Sequence, residues 1–575
     1  MEKIHAPGSE VTISFCAAAG LGLQTAEDLA RQMLTKAGYY VFSTREYMSR
    51  VRGGNNSTQI RVSGKPVRAY LDRIDWLFAL SPQLRPNITE NITDDTKILG
   101  DASAMEKEIA SLGRKMIDLD LAKRASDLGS PKFSSMIVAG FIAGIFMLGE
   151  NSADIFIEKR FKDPDLSGKN KKAFRVGHEL GKDHVGGRPI LQVPAKPEND
   201  EVFLDGNSAV ALGAASAGCN YITAYPMSPG TGVFSYFAKN AKLFSAVVEQ
   251  VEDEISAINM VVGAAYAGAR AMTTTSGGGF VLMCEGLSLA GITETPVVVH
   301  LAQRPGPATG LATRTEQADL ELALYAGHGE FPRALYAPVN VESAFRIAGH
   351  AFHTAHKYQV QTVILTDQYL LDTGYDVKRP DPSYVPAPIS PVKTGINYKR
   401  YAFPAEGEYV SPFGVPGYGG GFVSFDSHEH TEDAHITEDR ILRKRMVEKR
   451  LKKMEAMKME ALPPIVIGPE KYDTAVVCWG SVFEPLKEAM EILGSRNTVL
   501  VACEQVYPLS EELWRIIKSP CRKIFVEGNA TGQFSRVVRS QTGTGADELI
   551  LKYNGFQFTV EELAAELGSL LGAKS

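Results

Sequence analysis

Apolar and polar residues alternate along this chain of 575 residues in patterns that predict strands and helices in turn. The stretch "VTISFCAAAGLGLQTAEDLARQMLTKAGYYVFST", residues 11–44, predicts a strand, a glycine turn, a helix and a second strand, which together make a βαβ unit. A second α/β segment runs from Gly206 to near Thr373. Toward the C-terminus, "DTAVVCWGS", "NTVLVACEQV" and "RKIFVEG" predict three buried strands of a smaller domain that ends at Ser575. The pattern therefore predicts an α/β fold class with three α/β domains.

Two stretches rich in proline and glycine interrupt both periodicities and divide the chain. The first is "GGRPILQVPAKPENDEVFLDGN", and the second runs from Pro380 to Gly421. A basic helix, "DRILRKRMVEKRLKKMEAMKMEAL", follows the second stretch. Its nine basic residues between Arg440 and Lys458 are expected to form a face in contact with water, and docking of an acidic partner is the less favoured interpretation.

Composition and charge narrow the class of protein. The net charge of −6 gives no reason to expect a nucleic-acid partner. The longest apolar run, Met136 to Gly149, is shorter than the ~20 residues of a membrane span, so we expect a buried helix and no membrane. Residues 1–10 lack the features of a signal peptide, and the six cysteines have no C-x-x-C spacing. We therefore expect a reduced, cytoplasmic chain without a thiolate metal site.

The segment "AYPMSPGTG" is the first candidate for chemistry. A strand is predicted to end at Tyr225, and two prolines and two glycines force a turn before the next helix. Ligands of open α/β sheets bind where strands end, and Ser228 and Thr231 could donate hydroxyls there. A capped turn without a ligand is the equally weighted alternative.

The second candidate is Val251 to Phe280, "VEDEISAINMVVGAAYAGARAMTTTSGGGF". Its acids Glu252, Asp253 and Glu254 suit the start of a helix dipole, and its small residues suit tight helix packing. Neither explanation accounts for the three glycines, which are expected to form a bare loop that lets backbone approach a ligand. A flat ligand with one carboxylate in reach fits this stretch.

Three further features of the sequence are weaker signals of a binding site. Arg304 at a predicted strand end could hold a carboxylate bidentately, although a surface ion pair is the commoner use of an arginine. Gly20 and Gly22 resemble half of a dinucleotide motif whose third glycine is missing. Three histidines stand among acids in "DSHEHTEDAHITED", where a solvated loop is favoured over a metal site; they are His428, His430 and His435.

Together these segments resemble the alpha subunit of the 2-oxoacid:ferredoxin oxidoreductases, in the 2-oxoglutarate branch. "YPMSPGTG" is similar to the family's Tyr-Pro-Ile-Thr-Pro turn, with Ser228 where threonine is usual, and residues 251–286 resemble its thiamine pyrimidine-binding segment. "RPGPATGLATRTEQADL" and "HITEDRILRKRMVEKRLKKM" are similar to segments typical of the 2-oxoglutarate type. The N-terminal part resembles the family's gamma domain, fused in front of alpha, most clearly in "REYMSRVRGGNNSTQIRVS".

The resemblance implies a division of the chain into four parts. They are a gamma-type domain at 1–190, a thiamine diphosphate pyrimidine-binding domain at 200–380, an irregular segment with the basic linking helix at 381–465, and a transketolase C-terminal-like α/β domain at 466–575.

The resemblance also implies roles for single residues. In this family one carboxylate at the helix start faces pyrimidine N1′ of thiamine diphosphate and promotes loss of the cofactor's C2 proton; matching assigns it to Glu254. By the same matching, Arg304 holds the substrate carboxylate and Ser228 places its hydroxyl beside the reacting carbon. Tyr225 and Thr309 line the pocket, and Tyr225 also contacts the cofactor.

Two motifs of the family are missing from this sequence. There is no Gly-Asp-Gly followed by Asn at the usual spacing, and no cysteine set suited to a [4Fe–4S] cluster. In the family both belong to a separate beta subunit, so the resemblance implies that Mg²⁺ and the cluster lie there and that this chain holds no metal. The active site would form between subunits, as an αβ pair duplicated by a two-fold axis.

The implied activity is that of a 2-oxoglutarate synthase, which interconverts 2-oxoglutarate and coenzyme A with succinyl-coenzyme A, carbon dioxide and reduced ferredoxin. Another 2-oxoacid such as pyruvate stays open, because neither Arg304 nor the loop after it fixes the length of the substrate. A nucleotide-dependent dehydrogenase built on Gly20 and Gly22 and a non-catalytic scaffold are less favoured.

Overall fold

The computed structural model describes residues 9–18, 20–47, 55–192 and 201–572. Parts of three segments discussed above lie outside the described residues. They are position 19 of the glycine-rich run, positions 48–54 of "REYMSRVRGGNNSTQIRVS" and positions 193–200 of the first linker.

Strands and helices alternate through the described residues. The strands are β1 (Glu10–Ala18), β2 (Tyr40–Glu46), β3 (Asn55–Ser63), β4 (Trp76–Ala79), β5 (Lys97–Gly100), β6 (Met116–Asp118), β7 (Glu201–Asp205), β8 (Tyr221–Ala224), β9 (Val247–Gln250), β10 (Ala271–Thr275), β11 (Val297–Gln303), β12 (Arg333–Tyr336), β13 (Gln361–Asp367), β14 (Thr373–Lys378), β15 (Val392–Thr394), β16 (Gly414–Gly419), β17 (Ile465–Ile467), β18 (Thr474–Trp479), β19 (Thr498–Cys503), β20 (Gln505–Tyr507), β21 (Arg522–Glu527) and β22 (Glu548–Leu551). The α-helices are α1 (Leu23–Lys36), α2 (Pro86–Thr89), α3 (Ala102–Ser111), α4 (Leu121–Asp127), α5 (Ser134–Ile145), α6 (Asn151–Arg160), α7 (Pro164–His184), α8 (Gly206–Ser216), α9 (Thr231–Phe244), α10 (Glu254–Tyr266), α11 (Gly277–Leu282), α12 (Cys284–Ile292), α13 (Leu320–Tyr325), α14 (Val341–Tyr358), α15 (Gln368–Asp372), α16 (Arg440–Met459), α17 (Phe483–Leu493), α18 (Glu511–Lys518), α19 (Gln533–Thr542) and α20 (Val560–Leu571). This alternation confirms the predicted α/β class.

The chain contains two compact units. Unit 1 is built from the described residues of Met1–Leu204, Asp372–Arg379 and Thr559–Ser575, and unit 2 from Asp205–Leu371 and Pro380–Phe558. Unit 1 therefore takes in β14 and α20 from far along the chain, whereas the four-part division stays a prediction.

An eight-stranded sheet forms the centre of unit 1, in the order β6-β5-β4-β1-β3-β2-β14-β7. Strands β1 and β2 each pair antiparallel with β3, so the predicted βαβ unit forms with one strand inserted between its two strands. Gly20 and Gly22 adopt φ angles of 93° and 76° in the turn between β1 and α1. Since side chains rarely adopt such angles, these glycines serve the turn, and no nucleotide motif is needed to explain them.

The buried helix predicted at Met136–Gly149 is present as α5, whose residues from Ser135 to Ile145 are buried. The helix ends there, four residues earlier than predicted, and Met147 beyond it is exposed. Four glycines bring α5 and α7 into contact backbone to backbone. A Cβ at Gly140 would collide with the Phe174 carbonyl, and a Cβ at Gly177 would collide with that of Ile137. No single helix among the described residues is long and apolar enough to cross a membrane. One pair of helical segments, α4 with residues 131–145, together has the length and apolar composition of a span, but it is bent by 118° at the break between them.

Unit 2 contains a seven-stranded sheet in the order β20-β12-β13-β11-β10-β8-β9 and a five-stranded sheet in the order β17-β19-β18-β21-β22. All pairs of the larger sheet are parallel except β12 with β20. Strands β18, β19 and β21 lie within the three stretches predicted as strands of the smaller domain. The second stretch continues into β20, which pairs with β12 of the larger sheet, so its last residues were wrongly assigned to the smaller domain. One apolar core includes Val299 and Leu301 of the larger sheet and Trp479, Val501 and Phe525 of the smaller one.

The basic helix α16 differs from the prediction that its charges all face water. Lys449, Arg450 and Lys453 are buried. The ammonium groups of Lys449 and Lys453 lie 2.8 and 2.5 Å from the two carboxylate oxygens of Glu294, which is also buried. Although burial alone would raise the pKa of Glu294, the lysines lower it below its ordinary value. The prediction was wrong at these positions because a buried carboxylate requires buried counter-charges.

The histidine-rich loop is solvated only in part. His428 and His435 are exposed, but His430 is fully buried, with its ring 3.8 Å from the ring of Tyr401. The solvated interpretation was therefore wrong for His430, which packs as a core side chain. Within the described ranges, the group with ligand atoms close enough to share a metal is instead Glu150, His178 and Glu179. Their carboxylates already pair with cations, because Arg175 lies 3.1 Å from Glu150 and Lys182 lies 3.7 Å from Glu179.

Candidate functional site

The candidate site lies in unit 2 where β8, β10 and β11 end. These strands are neighbours and parallel, so their carboxyl ends share one edge of the sheet. The turn 225–230 follows β8, helix α11 follows β10, and Arg304 follows β11. This is the edge at which ligands of parallel sheets bind.

Glu254 is the buried member of three consecutive acids at the start of α10. Glu252 is exposed, and Asp253 caps the helix by accepting from the Ser256 amide at 2.6 Å. Glu254 is only 3% exposed, and its Oε1 has no hydrogen-bond partner. Burial raises the pKa of its carboxyl. Among the three acids, Glu254 is therefore the one whose environment favours the protonated carboxyl and which has an oxygen free to bond a ligand.

The three glycines do not form the bare loop expected from the sequence, because Gly277–Gly279 begin helix α11. They make room for two carboxyl groups. A Cβ at Gly279 would collide with Glu254 Oε1 and Thr275 Oγ1, and a Cβ at Gly277 would lie 2.5 Å from Asp319 Oδ1. The expectation of a loop was wrong, since each of these two glycines is required by a side chain that packs against the helix.

Asp319 is a site residue that the sequence reasoning missed. Its amide donates to Gln303 Oε1 at 3.0 Å, which holds it beside the end of β11. Burial raises its pKa to about 6, against the opposing effect of the Arg304 guanidinium. Burial and then the charge of Asp319 raise the pKa of Glu316 to about 7. The available signal was the pair of acids in "RTEQADL", directly after the Pro/Gly loop.

Arg304 and Ser228 are brought together. The Arg304 Nη1 group donates to the Ser228 carbonyl at 2.7 Å, so this arginine ties the end of β11 to the turn after β8. Burial lowers the pKa of Arg304, and Asp319 opposes that shift. The contact seen is thus a bond to a backbone carbonyl, not the surface ion pair that was the commoner expectation.

Tyr225 and Thr309 lie on exposed parts of the same edge. Tyr225 is 39% exposed directly after β8, and Thr309 is exposed in the loop after Arg304. That loop passes close to the glycines, because a Cβ at Gly278 would lie 3.9 Å from the Ala308 carbonyl. Their predicted roles in lining a pocket stay predictions.

The residues fit a ligand with hydrogen-bonding groups. Three buried oxygen atoms around α11 have no partner: Glu254 Oε1, Ser276 Oγ and Asp319 Oδ2. Buried polar atoms are usually hydrogen-bonded in native proteins, so these three oxygens are available to bond a bound molecule. A planar ring with a basic nitrogen matches the raised pKa of Glu254, because the proton can be shared between the two.

Comparison with known proteins gives a consistent result. A family model of the thiamine diphosphate-binding domain of pyruvate flavodoxin/ferredoxin oxidoreductase matches residues 212–449, and a second, for pyruvate ferredoxin/flavodoxin oxidoreductase, matches residues 12–180. The alpha subunit of 2-oxoacid:ferredoxin oxidoreductase 1 from Aeropyrum pernix is 30% identical over 630 residues, covering 96% of each chain. The 2-oxoglutarate oxidoreductase subunit KorA of Mycobacterium tuberculosis is 26% identical, covering 98% of this chain and 92% of that one.

One solved structure extends the comparison to three dimensions. The 2-oxoglutarate:ferredoxin oxidoreductase from Magnetococcus marinus, solved with 2-oxoglutarate, coenzyme A and succinyl-CoA bound, superimposes with a TM-score of 0.89. The match covers 98% of this chain and 99% of that one at 26% identity.

Proposed function

Because this chain belongs to the family of 2-oxoacid:ferredoxin oxidoreductase alpha subunits, with a gamma-type domain fused at its N-terminus, we propose that it acts on 2-oxoglutarate. In the proposed reaction, 2-oxoglutarate and coenzyme A are interconverted with succinyl-CoA and carbon dioxide, and ferredoxin carries the two electrons. Two similar proteins, from M. tuberculosis and M. marinus, are named for 2-oxoglutarate. Pyruvate or another 2-oxoacid is the alternative, since the matching family models are described for pyruvate.

The proposed thiamine-dependent chemistry rests on one observation, the buried Glu254 carboxyl with an unpartnered Oε1. Glu254 and Tyr225 would hold the aminopyrimidine of thiamine diphosphate. Thiamine diphosphate, when bound, supplies a nucleophilic carbon that adds to the oxo group and accepts the charge left by carbon dioxide. Glu254 holds or shares a proton at Oε1, which its raised pKa favours.

Arg304 is the proposed ligand of the substrate carboxylate. A guanidinium has five N–H donors, and the one bond to the Ser228 carbonyl leaves others for a carboxylate. The neighbouring Asp319, with a pKa of about 6, carries a proton more readily than an ordinary carboxyl and so competes less for Arg304. We further propose that the Ser228 hydroxyl stands beside the reacting carbon and that Tyr225 and Thr309 line the pocket.

The rest of the active site is proposed to come from a beta subunit. The six cysteines of this chain are unpaired, and five are buried, which does not suit a [4Fe–4S] cluster. The cluster and the Mg²⁺ that binds the diphosphate would therefore lie in the beta subunit, in an αβ pair duplicated by a two-fold axis.

The test is to co-express the chain with its beta subunit, purify the complex without oxygen and measure dye reduction that depends on coenzyme A. We expect a higher kcat/KM with 2-oxoglutarate than with pyruvate, and no reduction by this chain alone. Turnover by the isolated chain would overturn the shared-site proposal, and a preference for pyruvate would establish the alternative substrate.

A further inference from the structure

A row of hydrogen-bonding side chains crosses the larger sheet of unit 2 and ends at the turn 228–230. His300 lies fully buried on β11, between Thr274 of β10 and Thr366 of β13. Its Nδ1 is 2.8 Å from Thr274 Oγ1, and its Nε2 is 2.8 Å from Thr366 Oγ1. The Thr274 hydroxyl in turn donates to the Gly230 carbonyl at 3.1 Å.

The direction of these bonds follows from the number of protons available. A threonine hydroxyl has one proton, and Thr274 gives it to the Gly230 carbonyl, which can only accept. Toward His300, the Thr274 oxygen must therefore accept, so Nδ1 carries the hydrogen. Burial lowers the pKa of His300 to about 3, so the ring is neutral and its Nε2 accepts from Thr366.

We propose that His300 is a positioning residue for the active-site turn: its Nδ1–H aims the Thr274 hydroxyl at the Gly230 carbonyl and thereby holds Ser228, and with it Arg304, in place. The inference rests on the proposed function of that turn. His300 touches neither substrate nor cofactor and acts through Thr274.

The close fit of the turn against β10 strengthens the inference. A Cβ at Gly230 would lie 2.8 Å from Thr274 Oγ1 and 3.1 Å from the Thr275 carbonyl, so backbone and strand are already in contact. Two residues earlier, the Ser228 carbonyl accepts the Arg304 guanidinium at 2.7 Å. A shift of the turn that breaks the Thr274 bond would therefore also move the group that orients Arg304.

The apolar surroundings of His300 explain why both of its ring nitrogens are hydrogen-bonded. His300 interrupts the otherwise apolar run Val297–Leu301, in which every residue is buried. Burying a polar ring costs free energy unless its nitrogens have partners. Both nitrogens have them, and each partner lies on a neighbouring strand.

Two matched substitutions test the positioning role in the assembled complex. Thr274→Val and Thr366→Val are isosteric, lie on the two strands beside β11, and each removes one bond to the same ring. Thr274→Val frees the turn, and kcat/KM for the 2-oxoacid should fall roughly threefold to tenfold, the rate equivalent of one hydrogen bond. Thr366→Val removes one of these bonds where Thr274→Val removes two, so it should lower Tm by less and leave kcat/KM unchanged. Equal kinetic effects in the two variants, or none in either, would overturn the inference.

Conservative replacements of the histidine provide a rescue test. His300→Asn keeps an N–H near the position of Nδ1 and should retain kcat/KM within about threefold, the lower limit set by one hydrogen bond. His300→Gln places its amide near the position of Nε2 and should behave like Thr274→Val. The reverse order of the two variants would contradict the proposal.

Neutron diffraction from the deuterated full chain separates this inference from the proposed function. A deuteron on Nδ1 of His300 is expected, and a deuteron on Nε2 would overturn the inference whatever the enzyme does. Failure of the wild-type complex to turn over any 2-oxoacid would instead refute the proposed function.

Discussion

Glu254→Gln is the substitution that most sharply separates a cofactor carboxyl from a helix-start acid. The change keeps the size of the side chain and one hydrogen-bonding oxygen, but an amide cannot exchange a proton with a pyrimidine nitrogen. Because Glu254 Oε1 is buried and unpartnered, no neighbouring group of the described chain replaces the lost proton site. We expect loss of the C2 proton of bound thiamine diphosphate to slow by about 10²- to 10⁴-fold, the usual share of acid–base catalysis.

Stability should not fall with activity. The pKa of the Glu254 carboxyl in the folded protein is raised above its ordinary value of 4.5, so the folded state binds this proton more tightly than the unfolded state. The contribution of Glu254 to the stability of the protein therefore falls as pH rises from 4.5 through the folded pKa. Once pH has risen through this range, the buried carboxylate of Glu254 therefore costs folding free energy, which glutamine avoids. The Tm of Glu254→Gln should be equal to or higher than that of the wild type.

The assay is exchange of the C2 hydrogen of thiamine diphosphate for deuterium in the assembled complex, quenched with acid and read by NMR. Two matched controls stand beside Glu254 in the chain. Glu252→Gln changes an exposed acid, and Asp253→Asn keeps the bond from the Ser256 amide that caps α10. Wild-type exchange in Glu254→Gln, or equal losses in all three variants, would remove Glu254 from the mechanism.

Three further substitutions test the substrate ligand, the glycine contacts of α11 and the buried charge cluster. Arg304→Ala should lower kcat/KM for the 2-oxoacid by roughly thirty- to a thousand-fold, the equivalent of about 2–4 kcal/mol for a charge-assisted bond. The affinity for thiamine diphosphate, measured by calorimetry, should stay the same, and an unchanged kcat/KM would reject Arg304 as the substrate ligand. Gly279→Ala should abolish binding of thiamine diphosphate because its Cβ would collide with the Glu254 carboxylate. Gly278→Ala, whose Cβ would meet only the Ala308 carbonyl at 3.9 Å, should bind the cofactor normally, and equal binding by the two variants would refute the close fit of Gly279 against Glu254. Glu294→Gln should lower the free energy of unfolding in urea by about 3–5 kcal/mol, because it leaves two buried ammonium groups uncompensated. The control Glu460→Gln, at an exposed ion pair with Lys357, should lower it by less than about 1 kcal/mol, and similar losses in the two variants would contradict the buried cluster.

The strands and helices with clear periodicity could be predicted from the sequence. Strands β18, β19 and β21 are short apolar runs bounded by polar residues, and α5 is an apolar run too short to cross a membrane. The errors arose where a contact between distant parts of the chain decides the structure. The charges of α16 look solvent-facing until Glu294, far earlier in the chain, is seen to lie between Lys449 and Lys453.

The candidate site was predictable in outline, and its chemistry less so. Three consecutive acids could not be told apart by helix-dipole arguments; the family resemblance selected Glu254, and burial now distinguishes it from its neighbours. The glycines 277–279 suggested a loop because nothing local revealed that Glu254 and Asp319 occupy the space of their side chains. His300 was overlooked, although one polar residue within an apolar strand is a signal that a buried hydrogen-bond partner exists.

A structure of the assembled complex with thiamine diphosphate bound would show directly whether Glu254 binds the cofactor. We expect Glu254 Oε1 within hydrogen-bonding distance of pyrimidine N1′, about 2.7–3.2 Å, with the diphosphate held by the beta subunit. A pyrimidine bound to another carboxylate, or a cofactor held entirely by one subunit, would contradict it.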